Sequence, residues 1–357
     1  MGSVKDIVVI ERAPFPTGIL VFSDRYSVFD WGEMPDHIPH RGLTRAMMAA
    51  YFFEQLIKRD LRTHYHGMKN EDGIFTRTDM LTEPSNEMMI YLLEVVKPVL
   101  RNGKYDYSAF HSMKDGFLLS AEVIYRNEAP AGSSIYRRLD EGSLSLQSMG
   151  LIERPSQGNL FPSTVLDAST KHEQFDRYPD ERKGENRKTF LHEITGLSGV
   201  EIEEMDHMTL KANDVITEGI DRAGLRHGDG KLEFGLAHGR HLMYVDAAGT
   251  LDEIRATYPI NGQRVDLSKQ IPRDYYTIKQ PEWVAEIAAA KKEYPTEWKS
   301  HVETQPNPMP HELVQMLSNI DRTVANAVLD RNLFPGTPPL SEVAREYRRF
   351  RELEMKV

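Results

Sequence analysis

The chain opens on short apolar runs. Ile7-Val8-Val9-Ile10 and Gly18-Ile19-Leu20-Val21-Phe22 are β-branched or apolar stretches separated by a Pro-containing turn, which predicts β structure. The period then changes. Met47, Met48, Tyr51, Phe52 and Leu56 recur at helical spacing and predict a helix over 44–58. Further strands are predicted at 88–96 and 117–125. From 127 to 187 the pattern dissolves into polar residues broken by Gly and Pro. A loop of that length is expected to contact ligand or to cover a site, with 157–187 as the candidate lid. Periodicity resumes at 206–223, where Met208, Ala212, Val215 and Ile216 share one helix face. Asp206 is placed to cap that helix and Gly224 to end it. Two short strands follow, 231–235 and 242–246, joined by His238-Gly239-Arg240. The last quarter predicts helices at 283–291, 310–328 and 341–350 with Pro-rich joints between them.

Composition narrows the class. With 357 residues, 40% apolar and 27% charged, the chain has enough material for about two globular domains. No run of about 18 apolar residues occurs, so no membrane helix is expected. The first ten residues lack the apolar core of a signal peptide, and cysteine is absent, which removes disulfides and thiolate metal sites; a cytoplasmic protein is expected. The net charge of −10 argues against a general nucleic-acid binder. It does not argue against a phosphorylated ligand, because screening confines charge effects to about 8 Å.

Three clusters could carry chemistry. In Asp229-Gly230-Lys231-Leu232-Glu233-Phe234-Gly235, alternation puts Asp229, Lys231 and Glu233 on one strand face. Pairing with the next strand brings Asp246 near Glu233. Facing carboxylates need a cation between them, and oxygen-only donors suit Mg²⁺ held partly by nucleotide phosphates; a solvated hairpin of alternating charges is the plainer alternative. The second cluster is Glu122, Arg126, Asn127 and Ala131-Gly132-Ser133-Ser134. An Arg fork beside a small hydroxyl-bearing loop suits a phosphate monoester, although an ordinary turn has the same composition. The third is Gly2-Ser3-Val4-Lys5-Asp6, a small-residue turn with a nearby Lys. His64 and His66 flank Tyr65 and predict a surface strand rather than a metal site.

These clusters occur in the order found in the SAICAR synthetase family, which the chain resembles from about Gly2 to Tyr276. Asp24-Arg25-Tyr26-Ser27-Val28-Phe29-Asp30 is similar to the family's Asp-Arg-x-Ser-Ala-Phe-Asp. Ile38-Pro39 and Gly42, the Glu122 to Arg126 strand, and Lys211-Ala212-Asn213-Asp214 follow in family order. Lys231 to Gly235, then Asp246, Asp252 and Arg255, then Ser268-Lys269-Gln270 and Arg273-Asp274-Tyr275 complete the match. The resemblance implies a two-domain α+β fold related to ATP-grasp. A small N-terminal antiparallel β domain (1–115) would cover the nucleotide, and a larger α+β domain with C-terminal helices (116–357) would complete the site. It also implies an ATP-dependent ligase joining L-aspartate to the carboxylate of an azole ribonucleotide, the purine intermediate carboxyaminoimidazole ribonucleotide before any other azole. An inactive nucleotide-binding regulator is the reading from another class.

In that frame Lys231 and Asp229 are catalytic. Lys5, Lys171, Glu233 and Asp246 bind ATP, with Mg²⁺ on Glu233 and Asp246. Glu122, Arg126, Ser133, Asp252 and Arg255 hold the azole nucleotide. Neither nucleic acid nor membrane is an expected partner, and the C-terminal helices could serve a homo-oligomer contact. The chain also departs from the family pattern. Ser3 replaces a Lys, Ala247 replaces an acid, and Leu251-Asp252-Glu253-Ile254-Arg255 stands for Pro-Asp-Ser-Ser-Arg. His172-Glu173-Gln174 lacks the family's His-Asp-Glu, and the loop from Arg126 to Ser133 is one residue longer than the family's, leaving Ser133 and Ser134 as alternatives.

Overall fold

The computed structural model describes residues 4–11 and 16–356; Gly2 and Ser3 lie outside the described residues. Five strands, β1 (Lys5–Glu11), β2 (Thr17–Phe22), β3 (Tyr65–Lys69), β4 (Phe75–Thr76) and β5 (Glu87–Tyr91), form an antiparallel sheet in the order β1-β2-β5-β3-β4. Helix α1 (Arg41–Ile57) packs on it, burying Met47, Met48, Phe52 and Leu56 as the periodicity predicts; Tyr51 is only half-buried, and Phe53 is buried in addition. His64 departs from expectation: it is buried edge-on against Phe53, and only His66 of the pair is exposed.

After a small ribbon of β6 (Val99–Arg101) and β7 (Lys104–Asp106), the chain enters a larger antiparallel sheet. Its strands are β8 (Phe117–Glu128), β9 (Leu160–Thr170), β10 (Arg226–Ala237), β11 (His241–Val245), β12 (Ile254–Ile260) and β13 (Gln263–Asp266), in the order β13-β12-β10-β8-β9, with β11 also on β10. Helices α2 (Ser134–Asp140), α3 (Arg187–Thr195), α4 (Gly199–Arg222), α5 (Gln270–Lys279), α6 (Pro281–Glu293), α7 (His311–Leu329) and α8 (Leu340–Phe350) complete the fold. One continuous cluster of buried side chains runs from α1 through both sheets to α7 and α8.

Two expectations are corrected. The stretch 127–187 is not all loop, since it holds α2 and β9, and β9 pairs with β8 from Ala121↔Thr170 to Glu128↔Leu160. The strand escapes hydrophobic patterning because Asp167, Ser169 and Thr170 are polar yet buried. The helix expected at 206–223 begins earlier, at Gly199. It is capped by Ser198, whose hydroxyl accepts from Glu201 N while Glu201 reaches back to the Ser198 backbone N–H. Asp206 lies inside the helix and pairs with Arg187 instead. Gly224 follows the helix in a left-handed conformation, as read from the sequence.

The partner change along β10 positions the site. Its first half pairs with β12 (Arg226↔Thr257 to Gly230↔Ile254) and its second half with β11 (Glu233↔Val245 to Ala237↔His241). The link 246–253 between those two partners must therefore cross the edge of β10 beside Lys231, where Lys231 N donates to Glu253 O at 3.1 Å. Gly249 makes this link possible. Its φ of +70° favours glycine, and a Cβ there would stand 2.2 Å from the Phe52 ring. Gly249→Ala is expected to lower stability by about 1–3 kcal/mol, as overpacking commonly does. Denaturant unfolding checks this, and an unchanged midpoint would show that the link relaxes freely.

Candidate active site

A cavity of about 450 Å³ lies against one face of the large sheet. Lining it are Glu122 and Arg126 of β8, Asp229 and Lys231 of β10, and Arg255 at the start of β12. The other walls are Tyr26, Ser27 and Asp30 of the N-terminal segment, Lys171 to Tyr178 after β9, and Lys269 and Arg273 around the start of α5. Aromatic packing holds the N-terminal wall in place. Trp31 meets Trp283 of α6 edge-on at 5.6 Å, and the hydroxyls of Tyr26 and Tyr276 are 3.2 Å apart.

One end is a lattice of lysines and carboxylates. Lys231 Nζ lies 2.5 Å from Glu122, 3.5 Å from Glu253 and 3.9 Å from Glu233. Lys171 pairs with Glu233, and Lys5 reaches from β1 to Asp246 at 2.6 Å. Burial works against the charge on Lys5, but Asp246, Glu253 and Glu233 outweigh it and hold the ammonium above its ordinary value. Burial also opposes ionisation of Asp246, yet Lys5 and Lys171 hold it well below the carboxylate range. Glu233 moves the other way: burial and repulsion from Asp246 outweigh Lys171 and push it up. Asp246 has φ 62°, a left-handed conformation that turns the chain out of β11 and sets its carboxylate beside Glu233.

This donor set fits a hard divalent cation. Three ammonium groups (Lys5, Lys171, Lys231) face four carboxylates (Glu122, Glu233, Asp246, Glu253), so an excess negative charge remains. Among the described residues no group of three or more His, Asp and Glu side chains is arranged to hold a metal ion. A cation here would therefore take part of its shell from a ligand, as Mg²⁺ does with nucleotide phosphates.

The other end is cationic. Arg126 donates to Ser133 Oγ (3.2 Å), Ser134 Oγ (3.1 Å), Asp167 (3.1 Å) and Asp229 (3.3 Å). Arg255 donates to Asp229 at 2.7 Å and to Gly132 O at 3.2 Å. Buried Asp167 and Asp229 thus fix both guanidinium planes, which is the preorganisation a bidentate anion site requires. Lys269 and Arg273 add two more cations to the same wall. Lys269 donates to Glu253 O at 3.1 Å. Burial first, then repulsion from Arg255 and Arg273, pulls its ammonium down to about 7. Four cationic groups around one cavity-facing carboxylate suit a phosphate dianion, which would return Lys269 to its charged form.

That arrangement has a stability consequence. Between about pH 7 and the ordinary lysine value of 10.5 the unfolded chain holds a proton at Lys269 that the folded one does not. The ligand-free protein therefore gains stability from this group as pH rises through that window. Lys269→Met is expected to raise the melting temperature at pH 6 while weakening binding of a phosphorylated ligand about tenfold or more. Thermal unfolding at pH 6 and pH 9, with a binding titration, checks both. A variant less stable at pH 6 would contradict the assignment.

The sequence-predicted residues are brought together. Glu122, Arg126, Lys171, Asp229, Lys231, Asp252 and Arg255 line the cavity. Lys5, Glu233 and Asp246 stand at its edge, joined to it through Lys171, Lys231 and Glu253. Ser133 sits behind the wall, its hydroxyl capping α2 at Ile135 N, while Ser134 faces the cavity. Asp252 is engaged by Arg41 and Arg45 rather than open. Sequence reasoning assigned no role to Lys269 and Arg273, although both sit in recognised motifs, or to Glu253, which reads as a departure from the family. Asp176 was also missed. Burial first, then Glu122 and Asp30, raises its carboxyl well above the usual range.

A family model described as SAICAR synthetase matches residues 1–289. A protein of Archaeoglobus fulgidus provisionally named phosphoribosylaminoimidazole-succinocarboxamide synthase is 38% identical over 350 residues, covering 98% of this chain and 99% of its own. The phosphoribosylaminoimidazole-succinocarboxamide synthase of Thermoplasma acidophilum is 30% identical over 280 residues, 77% of this chain and 81% of its own. Among solved structures, the SAICAR synthase of Saccharomyces cerevisiae complexed with SAICAR aligns with a TM-score of 0.59 at 19% identity, over 92% of this chain and 93% of that one. A type-2 SAICAR synthetase in complex with ADP gives 0.52 at 18% identity, over 76% and 88%. At such identities these two likenesses bear on the fold alone. No helix among the described residues is long and apolar enough to cross a membrane.

Proposed function

Since the chain belongs to the SAICAR synthetase family, we propose that it is an ATP-dependent ligase that joins the carboxylate of carboxyaminoimidazole ribonucleotide to the amine of L-aspartate. The observation that carries this reading is one cavity with two chemically distinct ends, a preorganised arginine end and a lysine–carboxylate end. The relatives' names favour the purine intermediate over another azole carboxylate, and the intact charge lattice favours an enzyme over an inactive binder.

In this reading Arg126, Arg255, Ser134, Lys269 and Arg273 hold the ribose 5′-phosphate, with Ser133 fixing the loop behind them. Asp229 orients both arginines. Glu122 and Lys231 flank the azole and its carboxylate, with Asp252 at the adjoining wall. Lys5 and Lys171 meet the ATP phosphates in the cleft between the small and large sheets, a division near residue 115 of the kind implied by a relation to ATP-grasp. Glu233 and Asp246 would hold Mg²⁺, which when bound neutralises charge on the transferring phosphoryl group.

The azole carboxylate is a poor acyl donor at neutral pH. Attack of its oxygen on the γ-phosphorus of ATP forms an acyl phosphate and releases ADP. The aspartate amine then displaces inorganic phosphate and loses a proton, leaving the amide. Lys231, released from Glu122 by the incoming carboxylate, offsets charge on the reacting oxygens, and fixed cations do this without reorganisation. Holding the reactants together supplies on the order of 7–11 kcal/mol in favourable cases. The segment 171–178 forms a cavity wall and would help keep water from the activated acid.

The test is ADP release with ATP, Mg²⁺, carboxyaminoimidazole ribonucleotide and L-aspartate. Release that requires both the ribonucleotide and aspartate is expected. Release beyond one equivalent per protein without aspartate, or none with it, would remove the proposal.

A further inference from the structure

Beyond residue 289, where the family match ends, α7 places one acidic side chain behind the arginines that adjoin the site. Asp321 is 2% exposed, among buried positions of α7 that include the apolar Leu317, Ile320 and Val324. A carboxylate there is costly unless paired. It is paired twice. Arg41 Nη1 donates to one oxygen at 3.1 Å and Arg45 Nη2 to the other at 3.0 Å. Both arginines start α1 and are 4% exposed. Each also grips Asp252, Arg41 through Nη2 and Arg45 through Nε at 3.1 Å. Two guanidinium groups and two carboxylates form a closed, neutral square. Arg41 and Asp252 form its cavity side, and Asp321 touches no part of the cavity.

The geometry points to Asp321 as a positioning residue for the substrate cavity: it fixes Arg41 and Arg45, which hold Asp252 at the cavity wall. Without its charge two buried cations share the single carboxylate of Asp252. One of them must then turn toward the cavity or draw Asp252 away from it. Either movement changes how the cavity meets its ligand. A helix outside the matched segment thereby enters the binding function. The inference rests on the proposed azole-nucleotide reading of this cavity.

The test uses the full-length chain with D321N, D321E and, as a control for α7 packing, S318A. Ser318 Oγ donates to Pro39 O at 2.7 Å and so ties α7 to the same region without touching the square. Calorimetric binding of carboxyaminoimidazole ribonucleotide is read beside steady-state KM, kcat and thermal unfolding. D321N is expected to raise Kd and KM for the ribonucleotide about tenfold in folded protein, and D321E to recover part of that loss. S318A is expected to lower stability while leaving KM at the parent value. If D321N does not fold, D321E decides, since it keeps the charge and shifts it by one methylene. Folded variants with parent Kd and KM, or a fall in kcat alone that tracks the folded fraction, would overturn the inference while leaving the ligase reading intact. A parent that does not bind the ribonucleotide would overturn both.

Discussion

Glu233→Gln and Asp246→Asn are each expected to reduce turnover about 10³-fold or more, roughly 4 kcal/mol of transition-state stabilisation, yet to move stability in opposite directions. Both variants remove an oxygen anion from the proposed magnesium-nucleotide site, so the loss of activity is shared. Stability separates them. Glu233 is pushed above its ordinary 4.5 by burial and by Asp246. The folded state then holds a proton that the unfolded state has released, and stability falls as pH rises above 4.5. Removing that ionisable group should leave the protein at least as stable at pH 7. Asp246 is held below its ordinary 3.8 because Lys5 and Lys171 outweigh burial. Its contribution is present above pH 3.8 and is lost as pH falls. Asp246→Asn should therefore destabilise the protein at pH 7, and the difference from the parent should shrink toward pH 3. Turnover assays and urea unfolding at pH 3, 4 and 7 check the pair. Retained turnover in either variant, or equal destabilisation of both, would contradict the assigned electrostatics.

Arg126→Met is expected to damage fold and binding together. Arg126 is buried between Asp167 and Asp229, and each loses a partner when the guanidinium goes. Breaking a buried ion pair from one side costs about 3–5 kcal/mol. Arg138 still holds Asp167 at 2.6 Å and Arg255 still holds Asp229 at 2.7 Å, so the lower end is expected. The phosphate end loses its central fork, and affinity for the ribonucleotide should fall about 100-fold or more. Arg126→Lys keeps one charge without the bidentate plane and should recover stability better than affinity. Denaturant midpoints and binding titrations of both variants measure this. Unchanged affinity in Arg126→Met would place the phosphate elsewhere.

The site was legible where strand periodicity carries it. Alternation in 229–235 put Asp229, Lys231 and Glu233 on one face, and the short turn at 238–240 returns Asp246 beside Glu233 through the Glu233↔Val245 pair. The C-terminal helices were legible from their apolar faces. What failed to show was structure stabilised by buried polar groups. In β9, Asp167 serves Arg126 and Arg138, so the strand reads as loop. At α4, Ser198 and Glu201 carry a readable capping box, but Asp206 stands just before Met208 and draws the expected boundary there, although the buried apolar face already includes Ile202 and Met205. Asp321 sits in a helix that periodicity finds, yet its partners are about 280 residues away and no local pattern marks them. The place of Lys269 and Arg273 on the cavity wall likewise follows from where α5 begins, not from spacing along the chain.

The most direct measurement follows the oxygens. Carboxyaminoimidazole ribonucleotide labelled with ¹⁸O in both carboxylate positions is incubated with the protein, ATP, Mg²⁺ and L-aspartate, and the products are weighed by mass spectrometry. Ligation through an acyl phosphate leaves one ¹⁸O in the succinocarboxamide product and delivers the other to inorganic phosphate. Unlabelled phosphate, or ribonucleotide recovered without an aspartyl adduct, would contradict it.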